Sequence, residues 1–177
     1  WLMTEERGKR VTELLHDRLY LVLLAVAGVL LVFAVIAQPD MSLLTGWWLI
    51  QLSEAGLITD PMATGGVGSA LLNASLILLI CTMLIRAMKL PFTGVTFACL
   101  FMMAGFAMLG KNLVNITPII FGGWLYARYR REPFSQYIYM TLFGTCLSPM
   151  VSFLLVYMDP VIHWPAMALC GMVIGFL

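Results

Sequence analysis

Residues 19–37 read LYLVLLAVAGVLLVFAVIA, an apolar run without a charged residue. A helix rises ~1.5 Å per residue and the hydrocarbon of a bilayer is ~30 Å thick, so ~20 such residues suffice to cross it. The run begins only near Leu19 and is too long for the apolar core of a cleavable signal peptide. It is expected to be a transmembrane helix.

The rest of the chain follows the same rule. Hydrophobic residues make up 62% of the 177 residues and charged residues 11%, with a mean hydropathy of +0.96. A soluble domain carries roughly 25% charged residues. The apolar residues lie in long runs rather than in an amphipathic pattern, so lipid is expected to be the solvent for most of the surface. The net charge is +1 and no basic tract is large enough for nucleic acid. Cys81, Cys99, Cys146 and Cys170 each sit inside an apolar run without CxxC spacing or a nearby histidine. They read as small core residues, and neither a disulfide framework nor a metal site is expected.

Further apolar runs cover residues 67–85, 90–109, 113–127, 134–158 and from Pro165 onward. Met41 to Leu52 is apolar but too short to span, and it carries Trp47 and Trp48. Tryptophan favours the headgroup level, so this piece is expected to be an interfacial or re-entrant helix. The fold class expected is therefore all-α and polytopic, with about five to six spans and one broken helix. Residues 1–18 form a cytoplasmic amphipathic segment and residues 19–177 a transmembrane domain. Arg7, Lys9, Arg10 and Arg18, then Arg86 with Lys89, then Arg128 with Arg130 and Arg131, all fall on one side of alternating spans. By the positive-inside rule that side is cytoplasmic, as in a bacterial inner-membrane protein. The loops at 38–66 (with Asp40, Glu54 and Asp60) and 159–164 lack Lys and Arg and should face outward. Lys111 is the exception to this parity. The chain starts at Trp1 and stops at Leu177 within an apolar run; it is expected to be the N-terminal portion of a longer protein.

The most unusual stretch is Gly110-Lys111-Asn112-Leu113-Val114-Asn115-Ile116-Thr117-Pro118. It sets a cation, two amides, a hydroxyl, a glycine and a proline between two apolar runs. Helices broken at membrane depth are tolerated where protein or water lines them, and transporters use such half-helix ends to bind solutes. Free N–H groups at the start of the following helix would favour an anion or a carbonyl oxygen, with Lys111 adding positive charge. Lys111, Asn112, Asn115 and Thr117 are thus the candidate substrate-binding residues. The plainer alternative is an outer loop with an exposed Lys111, and with Asn112 and Asn115 as turn and cap residues. Asn73 sits mid-span on one helix face with Ser69. It is either a further substrate contact or a helix–helix hydrogen-bonding residue. Pro149 removes a helix hydrogen bond and is expected to leave the Thr145 carbonyl free. The N-glycosylation patterns at Asn73 and Asn115 are not expected to be used.

Catalysis lacks a basis. His16 and His163 lie outside the runs, no acidic residue falls within a confident span, and there is no HExxH or paired carboxylate. No enzyme activity, cofactor or metal is expected.

Residues 110–118, continuing through Gly122-Gly123-Trp124-Leu125-Tyr126-Ala127, together with Phe143-Gly144-Thr145-Cys146-Leu147-Ser148-Pro149, carry a resemblance. They resemble an uncharacterised group of bacterial and archaeal multi-pass membrane proteins known as a domain of unknown function. The resemblance implies a membrane fold and no particular activity. The combination of short helices with Gly- and Asn-rich breaks is also similar in architecture to urea-transporter-type channels. Together these features lead to a transporter or channel subunit for a small polar or anionic solute. The competing class is a non-transporting membrane scaffold or sensor. Expected partners are the lipid bilayer and that solute, with a homo-oligomer left open.

Overall fold

The computed structural model describes residues 2–53, 60–149, 151 and 160–177, with the backbone alone for residues 2–16 and 160. Glu54, the far part of the 134–158 run and Asp159 lie outside the described residues. The described chain is all helix and turn, with no strand among these residues.

Helix α1 (Leu2–Ala37) is continuous, so the polar lead-in and the apolar run form one rod. Tyr20, Leu23, Ala27 and Ala34 recur at helical spacing and are buried against α4 (Val67–Ala87). Leu24, Val26 and Leu30 are half-buried, and the outer face, including Val22, Val32, Phe33 and Ile36, is exposed. Residues 17–37 of α1 and the whole of α4 are the two described helices long and apolar enough to cross a membrane. They differ in setting, because 67% of the α4 window is buried inside the protein and 22% of the α1 window is.

Two short helices lie between them. Asp40 starts α2 (Ser42–Leu52) by accepting from the amide and hydroxyl of Ser42. Asp60 caps α3 (Pro61–Gly65) by accepting from the Met62 amide at 2.8 Å. Gly46 of α2 and Gly65 of α3 approach so closely that a Cβ on either would meet the other's carbonyl. Gly66 then turns the chain into α4 at φ 89° and ψ 161°, a conformation essentially restricted to glycine.

Reciprocal capping boxes start the next two helices: Thr93 with Thr96 for α5 (Gly94–Ala107), and Asn112 with Asn115 for α6 (Leu113–Arg130). The apolar run 113–127 suggests a short helix, yet α6 continues through Arg130, giving 18 residues or ~27 Å. The run from 134 does not form one helix. A 3-10 turn (Phe134–Gln136), α7 (Ile138–Gly144) and a second 3-10 turn (Thr145–Leu147) follow each other. The expected free carbonyl at Thr145 is absent, because the tighter turn lets the Ser148 amide donate to it.

The sequence places a loop over 159–164, but Pro160–Phe176 is one helix, α8, with Pro165 inside it. Pro160 opens the helix, where a missing amide costs nothing. Helix α8 lies along α6, and glycines let the backbones approach: a Cβ on Gly122 would meet Met172, and one on Gly175 would meet Ile119 and Gly123. Thus α1 pairs with α4 and α6 with α8. The shared core, including Ile77, Leu100, Met103, Ile116 and Leu142, is drawn from α1, α4, α5, α6 and α7.

Candidate functional site

Gly110, Lys111 and Asn112, in the connection between α5 and α6, form the site's centre. After α5 the chain turns through Gly110 at φ 98°, and the Lys111 amide reaches back to the Phe106 carbonyl at 3.0 Å. This is the glycine-terminated helix end expected of a Gly after an apolar run. Asn112 immediately caps α6. Its Oδ1 accepts from the Asn115 amide at 2.8 Å, and Asn115 Oδ1 accepts from the Asn112 amide at 3.0 Å. The capping roles of the plainer sequence reading are therefore present, but the exposed Lys111 that went with them is not.

Lys111 has no exposed surface, because the tight connection directs its side chain inward between α5 and the second 3-10 turn (Thr145–Leu147). Its ammonium donates to Thr145 Oγ1 at 3.0 Å and approaches Met103 Sδ at 3.2 Å and Cys146 Sγ at 3.6 Å. The Phe106 ring centroid is 5.3 Å away. Thr145 Oγ1 is free to accept because its own proton goes to the Leu142 carbonyl at 2.5 Å. Among the described residues no carboxylate pairs with Lys111; the described ion pairs are Arg86–Asp17 and Arg130–Glu132. Burying a charge without a paired opposite charge costs several kcal/mol, about as much as a small domain's margin of stability.

Four buried amides tie the break to its surroundings. Asn73 Nδ2 donates to the carbonyls of Lys111 (2.8 Å) and Ala107 (3.2 Å), and its Oδ1 accepts from Gln51 Nε2 (3.0 Å). Gln51 Oε1 accepts from the Leu113 amide at 2.9 Å. Asn112 Nδ2 donates to the Ile50 carbonyl at 3.0 Å, and Asn115 Nδ2 to the Gly110 carbonyl at 3.0 Å. Ser148 Oγ donates to Asn115 Oδ1 at 2.9 Å. Two of the first amides of α6, Leu113 and Asn115, are thereby occupied by side chains rather than free as the sequence suggests.

Lys111, Asn112, Asn115 and Asn73 are brought together here. Thr117 is not, since its hydroxyl is exposed and donates to the Leu113 carbonyl of its own helix at 2.6 Å. The sequence reading missed Gln51, Thr145 and Ser148 as side-chain members of this network. A lone glutamine in the apolar α2 was the available signal for the first. A narrow cleft beside the break, of ≈ 10 Å³ and so no larger than one water needs, is lined by Gln51, Asn112, Asn115, His163 and Trp164. Lys111 does not line it; the lysine's ammonium lies instead between α5 and the second 3-10 turn. Cys81 and Cys99 are buried near the site, Cys146 is half-buried and Cys170 is exposed, all as free thiols.

Comparison with curated proteins gives no match, and neither does comparison with solved structures. The architectural likeness to urea-transporter-type channels therefore has no support. A family model described as "Protein of unknown function (DUF1576)" matches residues 40–177, and the chain belongs to that family.

Proposed function

We propose that the chain is a multi-pass membrane protein that takes part in moving a small polar or anionic solute past the break at 110–118. The observation that carries this reading is the fully buried Lys111 ammonium with no carboxylate beside it among the described residues. Ionisable groups held inside membrane proteins mostly mark solute or ion paths. An anion reaching Lys111 would supply the missing countercharge. The apolar exposed faces of α1, α5 and α8 support lipid as the surrounding solvent, for example at Val32, Phe97 and Leu169.

On this reading the chain has about five to six membrane segments in a transmembrane domain over residues 19–177. Helix α2 re-enters the membrane or lies at its surface. Residues 1–18 are a cytoplasmic segment, together with the Arg86–Lys89 and Arg128–Arg131 ends. Burial of Lys111 supports this topology, since an inward lysine does not count against the positive-inside rule. A second reading, a non-transporting scaffold or sensor, draws support from the amides of the break, which are all bonded within the chain.

The test uses the full-length protein in detergent, with thermal stability recorded against a panel of small anions and neutral polar solutes. Lys111→Met keeps the packing volume and removes the ammonium. A solute that binds the folded form raises stability by ~2.7 kcal/mol at 100 times its Kd. A shift in wild type that is lost in Lys111→Met is expected. An equal response in both proteins, or none in either, sinks the transport reading and leaves the scaffold.

A further inference from the structure

The far end of α6 carries a second site, and it rests on the membrane reading above. Arg128 and Arg131 are exposed and line one open cleft of ≈ 430 Å³ with Ala127 and Glu132. Arg131 adopts a left-handed conformation (φ 59°, ψ 33°) that ends the helix and brings its side chain round to the cleft. The helix-end carbonyls are already taken: the Arg131 amide donates to Arg128 at 3.2 Å and the Glu132 amide to Ala127 at 3.0 Å. Glu132 is engaged too, accepting from the Tyr137 hydroxyl and lying 3.9 Å from Arg130. Neither the Arg128 nor the Arg131 guanidinium has a hydrogen-bond or ion-pair partner among the described residues. Two guanidinium forks thus face an open cleft whose one carboxylate is spoken for.

The neighbours are aromatic. Tyr126 packs edge-on against Tyr137 (5.1 Å) and Phe176 (5.5 Å), and Tyr129, 75% exposed, lies 5.9 Å from Phe176. Exposed aromatics one turn from an arginine pair are what a chain presents at the headgroup level of a bilayer. Guanidinium forks match phosphate oxygens in pairs.

We infer that Arg128 and Arg131 form a binding site for the phosphate of an anionic phospholipid, with Tyr129 and Phe176 against the upper acyl chains. The simpler role for these arginines is to balance the helix dipole and fix orientation, which needs no particular lipid. The experiment therefore separates a site from bulk charge. The full chain in a neutral detergent is titrated with short-chain phosphatidylglycerol, short-chain phosphatidylcholine, or inorganic phosphate, and its thermal midpoint is followed.

Phosphatidylglycerol is expected to give a saturable rise that phosphatidylcholine does not. Arg128→Gln and Arg131→Asn each should weaken it about tenfold, as loss of one charge-assisted contact does. Arg130→Gln, which removes the same charge outside the cleft, should leave it unchanged. Equal responses to both lipids overturn the inference, as does an Arg130→Gln loss matching the other two. An equal response to inorganic phosphate also overturns it, in favour of a soluble anion. Flotation on phosphatidylcholine vesicles after an alkaline wash tests the underlying membrane reading. A chain that stays with those vesicles but lacks the phosphatidylglycerol response overturns the lipid site alone, and a chain that washes off overturns both.

Discussion

Asn73→Ala tests whether the break is held as described. The side chain is fully buried and makes three hydrogen bonds to groups that have no access to water. Hydrogen bonds between membrane helices average ~0.6 kcal/mol each with an upper range near ~1.7, so three are worth ~2 to ~5 kcal/mol. The lower part of that range is expected, since Gln51 keeps its bond from the Leu113 amide. Stranding the Gln51 amide and the Lys111 carbonyl adds to the loss, because a buried polar group left unpaired costs ~1–3 kcal/mol. We therefore expect a destabilisation of ~2–4 kcal/mol. Equilibrium unfolding in mixed micelles of a mild and a denaturing detergent, followed by helicity, measures it. Thr117→Ala is the internal reference, because that hydroxyl is exposed and bonds within its own helix. A loss below ~0.5 kcal/mol for Asn73→Ala, the range of an ordinary surface change, would refute the reasoning. A double-mutant cycle with Gln51→Ala should return ~0.5–1.5 kcal/mol of coupling; strict additivity would mean the two amides do not interact.

Other substitutions probe different parts of the argument. Lys111→Met should fold with stability equal to or above wild type, since replacing a buried charge by an apolar side chain of similar size is often neutral or favourable. Lys111→Ala should lose ~2 kcal/mol or more to the cavity it leaves, and thermal unfolding distinguishes the two. Gly175→Val sets a branched side chain against the backbone of Ile119 and Gly123 and should cost at least ~1–3 kcal/mol, read as early loss of α8 protection in hydrogen exchange. Gly66→Ala forces a Cβ into a positive-φ conformation and should cost ~1–3 kcal/mol by the same unfolding assay. Hydrogen bonds from the Ser42 side chain and then its amide hold the exposed Asp40 carboxyl below the usual carboxylate range. A depressed carboxylate stabilises above its unfolded pKa, and that contribution is lost as pH falls through the folded one. Titration of Asp40 by NMR should move upward in Ser42→Ala.

Much of the helix pattern was legible along the chain. The run at 19–37, the glycine at 110 and the Asn112–Asn115 spacing are local signals, and each has its expected local outcome: an apolar helix, a helix end and a cap. Local pattern failed where backbone geometry depended on neighbours. Residues 160–164 resemble a loop because they join a proline, a histidine and a tryptophan, yet they continue α8. Residues 134–149 look like one apolar span but break into short helical pieces.

By itself, then, the sequence determined an apolar, helical chain and the helix end and start at Gly110 and Asn112, because those follow from side-chain solvation and from caps within a few residues. Whether Lys111 faces solvent or the interior was decided by the tertiary structure. So was the pairing of Asn73 with Gln51 and with the Lys111 carbonyl, across 22 and 38 residues of chain, and of Lys111 with Thr145 across 34. A buried polar group has to find a partner, but the chain specifies which one only by packing α2, α4 and the second 3-10 turn around the break, and no local spacing records that packing.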